Sequence, residues 1–321
     1  MRLKDLGDAK RLTDYGVYLL VRLLICAIQS LSLQTCHKLS KQLAWFCWHV
    51  LKLRRKVTKE NLAIAFPEKT QAQRDAIAEG MWRHLLLMVM EIAHAPRKVK
   101  RTTWKRHSSL PSTMEVLLRQ IDERPTVIIT GHIGNFEMGG FLSGLHGFPT
   151  HTVARPLDNP FLDRFVNDFR GSTGQFMLPK QGSGEQITEV LNQGGTLALL
   201  GDQHAGRGAC WVDFFGKPAS THKAVSVFTL GSSAPTAVAA TFRRGDEPLV
   251  FDMHVADIVD PTSPGFRYGT IPLLTEWYTR HLEGLIRCRP DHYWWVPRRW
   301  KGEPTSREAR RLAKTKQLPA A

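Results

Sequence analysis

A chain of 321 residues can bury one large core, and one catalytic domain is its default organisation. With 42% hydrophobic and 23% charged residues, wholesale disorder is excluded. The 44 Lys and Arg against 29 Asp and Glu leave a net charge of +15, which favours acidic partners: anionic lipid, a phosphorylated ligand, an acidic protein or nucleic acid.

Tyr15 to Leu33 reads YGVYLLVRLLICAIQSLSL, about the length needed to cross a bilayer. Arg22 near its middle must snorkel or pair in hydrocarbon, so a span, an interfacial helix and a buried helix of a soluble protein all stay open. A second apolar stretch, Leu43 to Leu53, follows where a signal peptide would carry a cleavage site, so cleavage is not expected. Lys52, Arg54, Arg55 and Lys56 then form a basic run that suits an anionic membrane surface or a solvated face. Leu62, Ile64, Ala65 and Phe66 predict a short helix stopped by Pro67, and Gln71 to Ile92 predicts a helix with a broad apolar face.

From residue 125 the pattern changes to short apolar runs: TVIIT (126–130), HTVA (151–154), TLALL (196–200), TAVAATF (236–242) and LVFDMHV (249–255). Separated by helical or Gly-rich stretches, they predict an α/β sheet with functional residues where strands end. The charged tail from Glu303 is expected to fray. The division that follows is a membrane-anchoring helical region over 1–56, a catalytic domain over 57–302 and a charged tail over 303–321. Five scattered cysteines, with no C-x-x-C pair, argue against a disulfide framework or a zinc site and fit a reducing compartment.

The segment PTVIITGHIGNFEMGG carries the chemistry. Its strand ends at Thr130 and delivers His132, Gly134, Asn135 and Glu137 to the sheet edge. His132 and Glu137 are five residues apart, about 140° around an ideal helix, so they can meet only if Gly134 relaxes the turn and the helix starts near Asn135, a good N-cap. A carboxylate on one imidazole nitrogen would then fix the tautomer while the other nitrogen takes a proton from an attacking hydroxyl. The alternative is a turn histidine bonded to backbone. Phe214 and Phe215 could border an acyl groove or belong to ordinary core. YWWVPRRWK interleaves aromatic and basic residues, which suits a membrane interface or single-stranded nucleic acid.

GHIGNFE resembles the H-x-x-x-x-[DE] motif of the glycerolipid acyltransferase superfamily, and most resembles the bacterial lipid A biosynthesis acyltransferases. VTKENLAIAFPE, TGHIGNFE, ARPLDNPFLD, LALLGDQHAG, WVDFFGKPAS and RPDHYWWVPRRWK are similar to that family's blocks and stand in family order. Pro297 departs from the pattern, which more usually has His there. The resemblance implies a mixed, mostly parallel sheet flanked by helices, with an N-terminal membrane-associated helical region. It implies an O-acyltransferase with His132 and Glu137 as catalytic dyad, and Gly134, Asn135, Arg155, Asp158, Asp202 and Gln203 as substrate-binding residues. Arg155 would meet acceptor or phosphate, or instead clamp its own loop through Asp158. Asp202 would orient a cation or the acceptor, or cap a turn through Gly206. The implied reaction moves a fatty acyl chain from a thioester, on acidic acyl carrier protein or on coenzyme A, to a hydroxyl of a lipid A precursor, another glycolipid, a lysophospholipid or an aminolipid. No metal, no cofactor and no nucleic-acid partner are expected, and the place is the cytoplasmic face of the inner membrane.

Overall fold

The structure is a computed structural model that describes residues 3–110, 124–206 and 208–317. Four helices come first: α1 (Leu3–Ser30), α2 (Leu33–Trp45), α3 (Arg55–Ala65) and α4 (Gln71–Lys98), with a single π-helical turn, Phe46–Val50, closing α2. Ser32 caps α2 by accepting from the Thr35 amide, and Thr70 with Gln73 forms a reciprocal capping box at the start of α4. Ile28, Cys36, Leu87, Met90 and Ala93 bury the contact where the end of α1 and α2 pack on α4.

Within α1, the stretch Ala9–Ser30 is long and apolar enough to cross a membrane, with a mean hydropathy of 1.4, and none of that apolar window is buried. Val17, Leu19, Leu20, Leu23 and Leu24 are exposed. Among the described residues Arg22 pairs with no acid. Its Nη1 donates to the Tyr18 hydroxyl at 2.8 Å and its guanidinium lies 5.0 Å from the centre of the Phe165 ring, a cation–π contact with the helix Pro160–Gly171.

The sheet has seven strands in the order β1-β9-β8-β2-β5-β3-β4. They are β1 (Ser108–Ser109), β2 (Thr126–Thr130), β3 (Thr150–Ala154), β4 (Gln175–Pro179), β5 (Thr196–Leu200), β8 (Thr236–Arg243) and β9 (Phe251–Val259). Strands β8, β2, β5, β3 and β4 run parallel, and β9 runs antiparallel to β8. A mixed, mostly parallel sheet flanked by helices is therefore the observed fold. The crossovers are α5 (Phe136–Leu145), α6 (Pro160–Gly171), α7 (Gly184–Asn192) and α8 (Ala224–Ser232), and α9 (Ile271–Cys288) follows the last strand.

Alternation along β2 divides the molecule. Val127 and Ile129 enter the main core with Trp277, Tyr278 and Leu282 of α9, while Thr126, Ile128 and Thr130 face a cavity on the opposite side.

One expectation is corrected. The tail does not fray throughout, because Ser306–Gln317 forms a helix, α10, that buries Leu312 and contacts α9 and β6 (Cys210–Phe214). Its start is stapled by Glu308, which accepts from the Thr305 amide and hydroxyl. Of the two readings of Phe214 and Phe215, ordinary core is the one observed. They sit at the end of an antiparallel hairpin, β6 with β7 (Lys217–Thr221), where Phe215 packs edge-on in the core against Phe66 and Trp295 and Phe214 packs edge-on against Phe215. Phe215 and Gly216 both take positive φ, 54° and 76°, which is what a tight two-residue hairpin turn demands.

Candidate active site

Strands β2 and β5 are parallel and in register, with Thr130 opposite Leu200. Two residues past those strand ends stand His132 and Asp202, so the same register brings them side by side. His132 Nδ1–H donates to Asp202 Oδ1 at 3.0 Å, with Oδ2 at 3.3 Å. The imidazole retains 17% side-chain exposure while the carboxylate retains 2%, so the acid is dry and the ring meets solvent. Gly131 makes the approach possible, since a Cβ there would lie 2.9 Å from the Asp202 Cβ. Gly134 turns the chain back at φ 61°, where a Cβ would lie 2.1 Å from the Thr241 carbonyl oxygen.

The expected partnership between His132 and Glu137 is not the one observed. Glu137, in the first turn of α5, pairs side-on with Arg170 at the end of α6, whose Nε donates to Glu137 Oε2 at 2.9 Å and whose Nη2 donates to Oε1. Five residues of turn and helix start carry Glu137 along the cavity wall, and the guanidinium fork claims both its oxygens. Asp202 in turn holds the imidazole. The signal that could have found this pair was available as two strands each followed two residues later by a His or an Asp. Arg170, inside an otherwise ordinary amphipathic helix, carried no comparable signal.

Burial works against a charge on His132, yet the adjacent Asp202 carboxylate, with a smaller contribution from Glu137, outweighs it and raises the imidazole pKa above its ordinary value. Asp202 is buried too, which alone would raise its pKa, but His132 and two backbone amides bring it below the usual carboxylate range. Nδ1 is committed to the carboxylate, which leaves Nε2 as the nitrogen able to take a proton. The Gln203 amide nitrogen lies 3.3 Å from both ring nitrogens, and Phe136 and Trp294 confine the ring with centres at 5.0 and 5.2 Å.

His132, Glu137, Arg155, Arg170 and Gln203 line the polar end of a cavity of about 770 Å³ that runs along the whole of β2. Its floor is made of small side chains, among them Thr126, Thr152, Thr196, Ala198, Ala237 and Ala239, and their size leaves open the space between sheet and helix layer. Natural cores are packed too tightly to leave such a volume, which is the size of a ligand pocket.

The remaining expected site residues divide. Arg155 pairs with Asp158 at 2.9 Å, but both are exposed, at 75% and 90%, so the pair lies open at the rim. Gly134 and Asn135 do not line the cavity. Asn135 is fully buried, accepts from the Met138 amide as N-cap of α5, and donates to Glu91 Oε2 at 3.0 Å. The YWWVPRRWK block buries Tyr293, Trp295 and Arg299, at 4%, 1% and 4% exposure, rather than presenting them at a surface. It braces the site from below instead: the Trp294 amide donates to the His132 carbonyl at 3.0 Å and the Gly134 amide to the His292 carbonyl at 2.8 Å.

Asp202→Asn is expected to lower kcat by about 10²–10⁴-fold, because an amide neither fixes the Nδ1–H tautomer nor supports the imidazolium. The carboxylate raises the His132 pKa, so its removal lowers that pKa and moves the acid limb of kcat/KM to lower pH. Glu137→Gln is expected to move the limb less. A pH–rate series on the two variants checks both statements.

A base on the sheet edge above a long, largely apolar cavity is an arrangement for activating a hydroxyl beside an acyl chain, and the protein is an O-acyltransferase. Residues 7–302 match the family described as bacterial lipid A biosynthesis acyltransferase, and the chain belongs to that family. It is 25% identical over 264 residues to a lipid A biosynthesis acyltransferase of Haemophilus influenzae, covering 78% of each chain. Over 259 residues it is 22% identical to a lipid A biosynthesis lauroyltransferase of Escherichia coli, and over 260 residues 22% identical to a palmitoleoyltransferase of the same organism, each covering 79% of this chain and 81% of the relative.

Proposed function

We propose that this enzyme transfers a fatty acyl chain from an acyl thioester carried on acyl carrier protein to a hydroxyl of a lipid A precursor or similar glycolipid, at the cytoplasmic face of the inner membrane. The observation that carries the reading is the His132–Asp202 pair at the polar end of the 770 Å³ cavity. His132 Nε2 takes the proton of the acceptor hydroxyl as its oxygen attacks the thioester carbonyl. The tetrahedral oxyanion collapses, the carbon–sulfur bond breaks, and the imidazolium returns its proton to the leaving thiolate. Asp202 stays ionised throughout and stabilises the imidazolium. Arg170, held by Glu137 on the cavity wall, supplies positive charge where the oxyanion develops. The exposed apolar face of α1 supports attachment to the membrane in which such an acceptor resides.

Mass spectrometry of membrane lipids from cells with the enzyme, without it and with His132→Ala tests the reading. A product heavier by one acyl group, present only with the intact enzyme, identifies acceptor and donor chain together. Unchanged glycolipids in all three samples overturn it. With a net charge of +15 facing an acidic carrier, the KM for the carrier-linked donor is expected to rise with ionic strength, and more steeply than for the coenzyme A thioester. Parallel titrations from low to physiological salt measure the difference.

A further inference from the structure

On the side of the His132 turn away from the cavity lies a buried ionic cluster that the proposed chemistry does not use. Glu91, in α4, is 0% exposed, and Arg243, at the end of β8, is 2% exposed. Arg243 Nε donates to Glu91 Oε1 at 2.7 Å and Nη2 to Oε2 at 2.6 Å. The same carboxylate accepts from Asn135 Nδ2 at 3.0 Å and from the Leu249 amide at 3.0 Å. Four hydrogen bonds therefore converge on it, two from Arg243 and one each from Asn135 and Leu249.

The cluster extends to a pair of histidines. Arg243 Nη1 lies 3.3 Å from His84 Nδ1, and the His84 and His292 rings stack with centres 4.0 Å apart. Burial and the neighbouring Arg243 hold His84 neutral, with its pKa lowered to about 3. A neutral His84 can accept from the guanidinium. The His292 carbonyl in turn accepts from the Gly134 amide.

Asn135 is the hinge of this arrangement. Its amide donates to the Thr241 carbonyl at 2.8 Å, its Oδ1 caps α5, and its Nδ2 reaches Glu91. Three residues before it stands His132 and two residues after it stands Glu137. A buried ion pair is costly to desolvate and is commonly replaceable by apolar residues without loss of stability, so stability alone does not account for one here. What an apolar pair could not do is hold a side-chain amide at a fixed point.

We infer that Glu91 is a positioning residue for the active site: its carboxylate, anchored by Arg243, holds Asn135 and thereby fixes the turn that presents His132 and Glu137 to the cavity. This rests on the proposed acyl transfer, in which His132 must meet its substrate at a fixed distance. A displaced base loses rate without losing donor binding, because the apolar cavity is built by other residues.

Three variants separate positioning from mere packing. Glu91→Leu with Arg243→Met removes the acceptor that Asn135 needs. Glu91→Gln with Arg243→Met keeps an amide oxygen in its place. Asn135→Ser retains an N-cap but cuts the link to Glu91. The expected result is a fall in kcat of about tenfold to a hundredfold, with KM for the donor little changed, in the first and third variants, and recovery of most of it in the second. A readout independent of turnover is the rate of His132 carbethoxylation by diethyl pyrocarbonate, followed by peptide mass spectrometry. It is expected to change in the first and third variants and to return toward the wild-type rate in the second. Should the first variant fail to fold, the folded Asn135→Ser decides. An active wild type together with an Asn135→Ser variant of unaltered kcat and unaltered carbethoxylation overturns the positioning role alone. A wild type that transfers no acyl group, with carbethoxylation still altered in Asn135→Ser, overturns the function and leaves the positioning standing.

Discussion

His132→Ala is expected to lower kcat/KM for acyl transfer by about 10²–10⁴-fold, the contribution of a well-placed general base, while the KM for the acyl donor changes little. On the proposed reading the donor's chain occupies the cavity whose floor is Thr and Ala side chains of the sheet, and the imidazole contributes only at its polar end. Two further signatures accompany the loss. The acid limb of the pH–rate profile should vanish, since the group that titrates is gone. Adding Asp202→Asn to His132→Ala should cost almost nothing more, because Asp202 acts through the ring that has been removed. Steady-state kinetics of the two single variants and the double variant measure all three. A double variant far slower than His132→Ala would mean that Asp202 contacts substrate directly.

Arg243→Met alone is expected to destabilise the fold by about 3–5 kcal/mol, because it strands the Glu91 carboxylate in the core with no countercharge. Asn135 and the Leu249 amide would remain as its hydrogen-bond donors, which is too little to stabilise a charge that water cannot reach. Removing both charges together, as in Glu91→Gln with Arg243→Met, should restore most of the loss. Thermal or urea unfolding of the single and paired variants checks the sign, and a shift of several degrees in Tm is the scale to expect. A single variant as stable as the wild type would show that water or a rearranged side chain reaches Glu91.

Much of the fold was legible from local pattern. TVIIT and TLALL are strands over the residues expected, while the apolar amino-terminal helix ends at Ser30, ahead of the Ser32 cap of the next one, and the Met-rich helix runs past the expected Ile92 to Lys98. Strand β4, with its Pro179, and the β6–β7 hairpin were missed, since QFMLP and KPAST are short and carry little apolar alternation. YWWVPRRWK was legible as an unusual block but not as a buried one. Aromatic rings suit a membrane surface and a core equally, and only the packing of Trp295 against Phe66 and Phe215 decides between them.

The sequence by itself determined which residues reach the sheet edge: a histidine and an acid after a buried strand, in a family-specific order of blocks. Only the tertiary structure decided which acid serves the histidine. Glu137 is five residues from His132 and pairs with Arg170, while Asp202 is seventy residues away and touches the ring. The reason is that parallel strands become neighbours through crossover connections. The register of β2 against β5 sets the distance between two strand ends, and nothing in the local spacing of either segment encodes it.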